Sequence, residues 1–374
     1  MEKRELEDNV TVLTRKIILP VSLHDEKGFT REGNANKWWQ QQVPAAFLFL
    51  SGSMAISFFL TLYPGYQRMQ TRTSWQANLL LLTTAMIWGF AFVAQRLGME
   101  HVSPFTFNAT RFAVGAVSLL PVLIAYRLKK PLSQRPPIFD RFGLLGGLCL
   151  GVALFLGSSL QQIGIVYTTA GKAGFITGLY VIIVPLLGLF WKQKTGMGTW
   201  LGAFLAVAGM YFLSISDGFN ISQGDLLVLI SALFWAIHVQ MISWFTRRFD
   251  SLLLSLYQFL FCAALSWLCA LQWETISISA IRAAIYPILY AGVMSVGIAY
   301  TLQVVAQQKA HPAHAAIILS LESVFALLGG WLFLEEILSP RGLFGCSLML
   351  TGMILSQLLP IPMTAKKASR CEGE

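Results

Sequence analysis

The chain has 374 residues, of which 55% are hydrophobic and only 12% are charged, whereas a soluble domain carries about 25% charged residues. This composition indicates a membrane protein. The formal net charge of +9 does not indicate a nucleic-acid surface, because the Lys and Arg residues lie between apolar runs and not on one face. That position is typical of topology signals in membrane proteins.

Ten apolar runs follow one another after residue 75, and each is close to the roughly 20 residues that a bilayer-spanning helix needs. The links between them are too short for a soluble domain, so function must reside in the helices or at their ends. We predict spans at 77–97, 104–126, 143–163, 169–190, 196–215, 225–245, 251–271, 284–304, 312–334 and 339–358.

Basic residues predict the orientation of these spans. Fifteen Lys and Arg residues flank the ends that share a side with the start of the first span, against Arg96, Arg282 and Arg341 on the other side. Because basic residues accumulate in cytoplasmic links, the first span should begin, and the C-terminus should lie, in the cytoplasm. We therefore expect a multi-pass protein of the inner (cytoplasmic) membrane.

The N-terminal region departs from this pattern. Residues 1–43 are polar, and 44–64 form an eleventh apolar run that does not resemble a cleavable signal peptide. It is an extra span, an interfacial segment, or part of an upstream extension with Met69 as the natural start. We favour the last, because a spanning segment would carry seven basic residues outside, and we expect a chain starting at Met69 to insert and transport.

An internal repeat organises the rest of the chain. Residues 85–112 align without gaps to 232–259, and 158–188 align to 300–330. Each copy holds five spans, and an odd number makes the second copy enter the membrane from the opposite side, as in many secondary transporters. We predict an all-α membrane fold of ten helices in two inverted repeats. The predicted units are 1–74 (N-terminal extension), 75–220 (first repeat), 221–360 (second repeat) and 361–374 (cytoplasmic tail).

Two stretches carry a resemblance to a known family. AMIWGFAFVAQRLGMEHVSPFTFNATRF (85–112) and PAHAAIILSLESVFALLGGWLFLEE (312–336) resemble EamA-type permeases of the drug/metabolite transporter superfamily. The resemblance covers roughly residues 75–360. It implies ten helices, cytoplasmic termini, and export of small metabolites or drugs driven by an ion gradient or by exchange. The link WKQKTG (191–196) departs from the family, which more often has an acidic turn there.

Ionisable groups inside a membrane are costly and are candidates for function. Glu322 is the strongest, because it lies at the centre of the ninth span and its repeat partner is the polar Tyr180. We expect it to bind substrate or a coupling proton, or else to pin neighbouring helices through hydrogen bonds. Arg111, two turns into the second span, is a second candidate; binding to backbone carbonyls or lipid phosphates is its alternative.

Other candidates have simpler alternatives. Lys172 lies one turn from a helix end and can reach water. Its repeat partner His314 and the mid-span His238 are explained equally well as hydrogen-bonded or packing histidines. The glycines spaced by four residues, as in Gly143 and Gly147, favour close helix packing, with dimerisation as the alternative.

Two pairs of repeat-related side chains complete the candidate site. Trp88 and Trp235 lie mid-span in the first helix of each half, where their indoles could stack on a substrate or pack between helices. Gln161 and Gln303 are polar positions within apolar runs and could line the same cavity.

We therefore expect a secondary transporter whose partners are a small-molecule substrate, the lipid bilayer and protons as the candidate coupling ion, without nucleic acid. The five cysteines show no metal-ligand spacing, and no cofactor motif or ATP-binding loop is present. An intramembrane lipid-modifying enzyme would need a nucleophile or metal cluster, which we do not find. A channel is the other alternative, although an inverted repeat fits alternating access better.

Overall fold

The computed structural model describes residues 73–190, 193, 195–214, 222–334 and 340–359. The apolar segment 44–64, the proposed start Met69 and the tail 361–374 lie outside these residues, so the predictions about them stay predictions.

Within these ranges the chain is helical and contains no strand. Eight helices are long and apolar enough to cross a membrane, and two further helices, α5 and α10, follow the fourth and eighth of them. Besides the short helix Ile278–Ala283 and the 3-10 turn Leu132–Gln134, the helices are α1 (Thr73–Gly98), α2 (Pro104–Lys129), α3 (Arg141–Val166), α4 (Ala170–Phe190), α5 (Met197–Ser214), α6 (Gln223–Phe245), α7 (Ser251–Trp273), α8 (Ile285–Gln307), α9 (Pro312–Phe333) and α10 (Pro340–Leu358). The prediction of an all-helical membrane fold is confirmed.

Local sequence signals start several of these helices. Asp140 accepts a hydrogen bond from the backbone N–H of Gly143 at 2.7 Å and caps α3. Ser222 and Asp225 form a reciprocal capping box at α6, and Asp250 caps α7. A capping side chain satisfies backbone donors that a helix end leaves unpaired, so these short links fix where each helix enters the bundle.

The packing of the helices is symmetric between the two halves. Contacts of α1 with α8 and α9 are matched by contacts of α6 with α3 and α4. The pair α2–α8 is matched by α7–α3, while α2–α7 and α5–α10 each join equivalent helices. Exchanging the halves therefore leaves the set of packed pairs unchanged, as an inverted repeat requires.

Glycines bring equivalent helices close together. A Cβ at Gly202 of α5 would lie 2.7 Å from the carbonyl oxygen of Gly352 in α10, and the reverse distance is also 2.7 Å. Gly147 of α3 lies directly against Tyr257 of α7. The prediction that such glycines serve packing is confirmed, and these faces are covered within one chain, so they supply no surface for a dimer.

Helices α4 and α9 are each broken at the same position of the repeat. In α4 the backbone N–H of Leu179 donates to the Ile176 carbonyl, and in α9 the N–H of Leu321 donates to the Ile318 carbonyl, each at 3.2 Å. Each bond joins residues three positions apart, whereas the hydrogen bonds of an α-helix join residues four positions apart. A proline, Pro185, lies inside α4, yet the break precedes it and recurs in α9, where the equivalent residue is a leucine. The proline is therefore not required for the break.

Candidate functional site

A cavity with a free volume of about 30 Å³ lies between the two halves, beside the breaks in α4 and α9. It draws side chains from α1, α2, α3 and α4 of the first half and from α6, α8 and α9 of the second. The lining residues are Trp88, Ala91, Phe92, Gln95, Arg111, Gln161, Thr177, Tyr180, Trp235, Val239, Ser295, Tyr300, Gln303, Leu319 and Glu322.

Seven of the ten residues that the sequence singled out meet in this cavity. They are Glu322, Tyr180, Trp88, Trp235, Arg111, Gln161 and Gln303. The other three, His238, Lys172 and His314, do not line it. A role of these residues in binding stays a prediction, but their convergence from several helices is a property of the fold.

Glu322 and Tyr180 come into the cavity from the two helix breaks. Each begins the second segment of its broken helix, and both side chains are almost fully buried, with 4% and 3% exposed. The Tyr180 hydroxyl and the Glu322 carboxylate interact directly, although the contact does not have the geometry of a full hydrogen bond, and Glu322 Oε1 has no other partner among the described residues. Among the described residues the carboxylate also forms no ion pair with Arg111 or His238.

Arg111 is the cationic member of the cavity. Its side chain is only 2% exposed, and its guanidinium carbon lies 5.1 Å from the ring centre of Phe112 and 5.6 Å from that of Phe107. Nε has no hydrogen-bond partner within the described part of the chain. The alternative considered from sequence, binding of Arg111 to backbone carbonyls, is therefore not observed at Nε. The two aromatic rings only partly replace the hydration that the guanidinium loses on burial.

Aromatic rings form another part of the cavity wall. Tyr300 of α8 lies at the centre, with its ring 4.6 Å from Trp88 and 6.0 Å from Trp235. The Trp88 indole N–H donates to the Ser295 carbonyl at 3.3 Å, whereas the Trp235 N–H has no partner in the described structure. The two repeat-related tryptophans are thus equivalent in place but differ in hydrogen bonding.

Amide side chains add further polar groups to the wall. Gln161 Nε2 donates to the Thr177 hydroxyl at 2.9 Å. The Oε1 atoms of Gln303 and Gln95 are buried and lack hydrogen-bond partners among the residues described. A buried polar atom without a partner is unfavourable by about 1–3 kcal/mol, so these atoms are available to hydrogen-bond with water or a solute in the cavity.

His238 stands behind the aromatic wall. It is fully buried, and its Nε2 shares a 2.8 Å hydrogen bond with Gln258 Oε1. Its ring lies 6.1 Å from that of Trp235 and 6.2 Å from that of Tyr300. These contacts agree with the packing alternative and place His238 next to the cavity without lining it.

Lys172 has a structural partner that the sequence did not suggest. Its Nζ lies 2.6 Å from Asp225 Oδ2, and the Thr168 hydroxyl donates to the other oxygen of that carboxylate at 2.9 Å. We call this end of the bundle, where α4 and α6 begin, the Lys172 mouth. At the opposite end, the His314 mouth, His314 Nε2 shares a 2.9 Å hydrogen bond with the Thr199 hydroxyl.

Sequence reasoning missed four polar lining residues: Tyr300, Gln95, Ser295 and Thr177. Tyr300 could have been predicted from the sequence, because it is a hydroxyl-bearing residue in an apolar run, three positions before Gln303. Its repeat partner is Ser158, so the alignment of the two repeats shows no matching residue that would have marked this position. Part of α8, Tyr290–Tyr300, is wound as a π-helix, and this winding, which changes which side chains face the cavity, has no plain sequence signal.

Metal chemistry finds no support in the described residues, since no group of three or more His, Cys, Asp or Glu side chains could hold an ion there. The four cysteines in these ranges are free thiols.

Comparison with known proteins gives consistent results. The model of the EamA-like transporter family matches residues 75–215 and again 222–358. An uncharacterised transporter of Archaeoglobus fulgidus is 35% identical over 283 residues, covering 75% of this chain and 86% of that protein. The uncharacterised transporter YoaV of Bacillus subtilis is 23% identical, covering 74% of this chain and 94% of its own.

A solved crystal structure also matches, with a TM-score of 0.62 over 76% of this chain and 96% of that chain. At 19% sequence identity this likeness concerns the fold alone.

Proposed function

Because the chain belongs to the EamA-like transporter family, it is a multi-pass membrane transporter and not an enzyme, and we propose that it works as a secondary active exporter of small metabolites. The cavity between the halves is the substrate site, and access to it alternates between the two sides of the membrane. Export is the direction that the family resemblance implies.

The observation that carries this proposal is a buried carboxylate at the interface of two symmetric halves, with no ion-pair partner among the described residues. Inverted repeats around one site can exchange conformations, and each exchange moves the opening to the other side. Side chains from both halves line the cavity, so an exchange of conformation between the halves would change which groups enclose it. The helix breaks at Leu179 and Leu321 lie beside it and are suitable hinge points.

Glu322 is the proposed coupling group. An ionised carboxylate at mid-membrane depth is unfavourable by roughly 2.5 kcal/mol or more, and no cation among the described residues pairs with it. A group in this position is stabilised by taking up a proton or a cationic part of the substrate. We propose that Glu322 exchanges a proton with the aqueous phase once per cycle, which couples transport to the proton gradient.

The proposed location is the cytoplasmic membrane. The excess of basic residues on one side supports cytoplasmic placement of the C-terminus and of the His314 mouth, where α1, α5 and α9 begin. The Lys172 mouth then faces outward.

Proton flux in proteoliposomes tests the proposal even while the transported solute is unidentified. Vesicles containing a pH-sensitive dye are exposed to pools of metabolites, and a substrate reveals itself by a change of internal pH. We expect at least one pool to drive proton flux in the wild type and none to do so in Glu322→Gln at equal protein abundance, with passive substrate exchange retained.

Glu100→Gln is the matched control, because Glu100 is an exposed acid in the α1–α2 link. Equal proton flux in Glu322→Gln and the wild type would rule out the coupling role. Collapse of folded Glu322→Gln protein would favour the alternative that Glu322 pins the neighbouring helices.

A further inference from the structure

Helices α3 and α8 are repeat partners, and their contacts with α7 and α2 show which of their residues match. A Cβ at Gly292 of α8 would lie 3.0 Å from the carbonyl oxygen of Arg111 in α2. A Cβ at Gly151 of α3 would lie 3.2 Å from the carbonyl oxygen of Gln258 in α7. Because Arg111 and Gln258 are repeat partners, Gly292 occupies the place in the second half that Gly151 occupies in the first.

Helix α8 contains one residue more than α3 beyond these glycines. Tyr300 lies eight positions after Gly292, whereas its repeat partner Ser158 lies seven positions after Gly151. The segment Tyr290–Tyr300 is wound as a π-helix, while α3 is α-helical throughout. Hydrogen bonds in a π-helix join residues five positions apart, one more than in an α-helix. The π winding therefore accommodates the additional residue and leaves both ends of α8 in the places that the repeat requires.

Two side-chain hydrogen bonds join this π segment to α1. The Tyr290 hydroxyl donates to the Ile87 carbonyl at 3.2 Å. The Trp88 indole N–H donates to the Ser295 carbonyl at 3.3 Å. Because α1 belongs to the first half and α8 to the second, both bonds cross the interface between the halves. We call these two bonds the Trp88 latch.

The repeat partners of the two donors form no such link between α6 and α3. Trp235, the partner of Trp88, has an indole N–H without an acceptor among the described residues. A Cβ at Gly157 of α3 would lie 3.2 Å from the Trp235 ring, so the ring packs on this helix without bonding to it. Tyr290 is matched by Cys149, which has no hydroxyl group.

A third contact follows the same pattern. The Thr84 hydroxyl of α1, which also bonds within its own helix, lies 3.2 Å from the Ala299 carbonyl oxygen in the π segment. Its repeat partner Ser231 donates to the Val228 carbonyl of its own helix at 2.6 Å. The side chains of α1 thus reach backbone carbonyls of α8, whereas the equivalent side chains of α6 do not reach those of α3.

We propose that the Trp88 latch holds the transporter in the conformation that is closed at the Lys172 mouth. That mouth is closed here by the ion pair of Lys172 with Asp225. The inference rests on the alternating access of the proposed function. When two inverted halves exchange conformations, α1 and α8 take up the arrangement that α6 and α3 have now. In that arrangement the indole N–H has no acceptor in the facing helix, so the latch opens.

The latch therefore stabilises one of the two conformations only. The additional residue of α8 has no counterpart in α3, so an equivalent latch does not form when the halves exchange. Inverted halves with identical contacts would populate both conformations equally. The π segment and its two donors make the populations unequal and favour the closed Lys172 mouth.

Cysteine labelling of the full-length protein in vesicles tests the latch. The five native cysteines are replaced, and Ala91→Cys places a thiol in the cavity wall. Trp88→Phe and Tyr290→Phe each remove one latch donor and keep an aromatic ring. Each should raise the rate of labelling by an impermeant maleimide about 2- to 10-fold, the equilibrium change expected for one hydrogen bond. The rise should occur only from the side that the Lys172 mouth faces.

Matched controls make the same chemical changes at exposed positions outside the interface of α1 with α8. They are Trp244→Phe and Tyr211→Phe, and neither should change the rate. Gel filtration verifies that each variant is folded, and the two latch variants remove different bonds, so each is a test by itself. Unchanged labelling in a folded latch variant would overturn the inference. So would equal increases from both sides of the membrane or in the controls, because they would indicate a general loosening of the protein.

Labelling of the parent protein separates this inference from the proposed function. A parent protein that is labelled from either side, with no effect of Trp88→Phe or Tyr290→Phe, would retain alternating access and lose the latch. A parent protein that is labelled from one side alone would contradict the transport cycle itself, and the latch with it.

Discussion

The Lys172–Asp225 ion pair joins the two halves of the protein at the Lys172 mouth, and Lys172→Gln should favour the conformation that is open there. Lys172 belongs to α4 of the first half and Asp225 to α6 of the second. A Cβ at Gly164 of α3 would lie 2.8 Å from the carbonyl oxygen of Gly224, so the helix ends are closely packed at the same place. Opening this mouth must separate these groups.

The size of the effect follows from the geometry of the pair. Asp225 is 3% exposed and Lys172 is 36% exposed, at a distance of 2.6 Å. Without the ammonium group, Asp225 still accepts hydrogen bonds from the Ser222 N–H at 2.8 Å and from the Thr168 hydroxyl at 2.9 Å. One charge-assisted hydrogen bond at a partly exposed site contributes about 1–2 kcal/mol. The equilibrium between closed and open mouths should therefore shift about 5- to 30-fold.

Cysteine labelling measures this shift. The five native cysteines are replaced, and Ser295→Cys places a thiol in the cavity wall, where the serine is 3% exposed. A membrane-impermeant maleimide is added to the side of the membrane that the Lys172 mouth faces. The labelling rate should rise by the same factor of about 5 to 30 in Lys172→Gln. Lys129→Gln is the control and should leave the rate unchanged, because Lys129 is an exposed charge at the end of α2 away from the Lys172 mouth.

An unchanged labelling rate in Lys172→Gln, with protein of normal abundance, would refute the idea that this ion pair holds the mouth closed. Equal increases in Lys172→Gln and Lys129→Gln would also contradict it, because they would indicate an effect of charge in general.

Three further predictions follow from the packing. Trp88→Ala should raise the KM for the transported solute about tenfold or more while abundance stays normal; loss of folded protein with unchanged KM would assign Trp88 to packing. Gly202→Val should lower the free energy of unfolding by about 1–3 kcal/mol, because a Cβ there meets the Gly352 carbonyl at 2.7 Å, and chemical denaturation that detects no loss would contradict the close approach. His311 caps α9 by accepting the Ala313 N–H, and burial together with nearby positive charge lowers its pKa to about 4. The neutral imidazole therefore contributes its full stabilisation above a pH of about 6.5 and loses it as the pH falls toward 4. The wild type should lose more thermal stability over this pH range than His311→Asn. Equal losses in the two proteins would show that His311 does not cause the pH dependence.

Much of the fold was predictable because apolar runs of membrane length and basic residues between them are local signals. The repeat was also visible, since Trp88 with Trp235 and Gln161 with Gln303 are informative matches in gapless alignments. An odd number of spans in each copy then determined the inversion. None of these signals depends on which helices touch.

Other features depend on contacts between distant residues. The Lys172–Asp225 pair joins side chains 53 positions apart in different halves, and Asp225 by itself is explained as a helix cap. The breaks beside Tyr180 and Glu322 were not predicted, because apolar residues continue through both and no glycine or proline marks Leu321.

In the candidate site, too, some features have a local sequence signal and others depend on contacts between distant residues. Glu322 and Arg111 were recognisable individually because a charge in an apolar run is unusual. The structure adds that both line one cavity and that no ion pair joins them among the described residues. Tyr300, the ring between both tryptophans, was missed because a single tyrosine in a span has no distinctive pattern, and its position depends on the winding of α8.

The central claim is that one cavity between the two halves is exposed to each side of the membrane in turn. The most direct test is the accessibility of Ser295→Cys in the cysteine-free protein, measured with an impermeant maleimide added from one side or from the other. Alternating access predicts labelling from either side, and a transported solute should slow the reaction from both. Labelling from one side only, under every gradient and solute condition, would contradict the account.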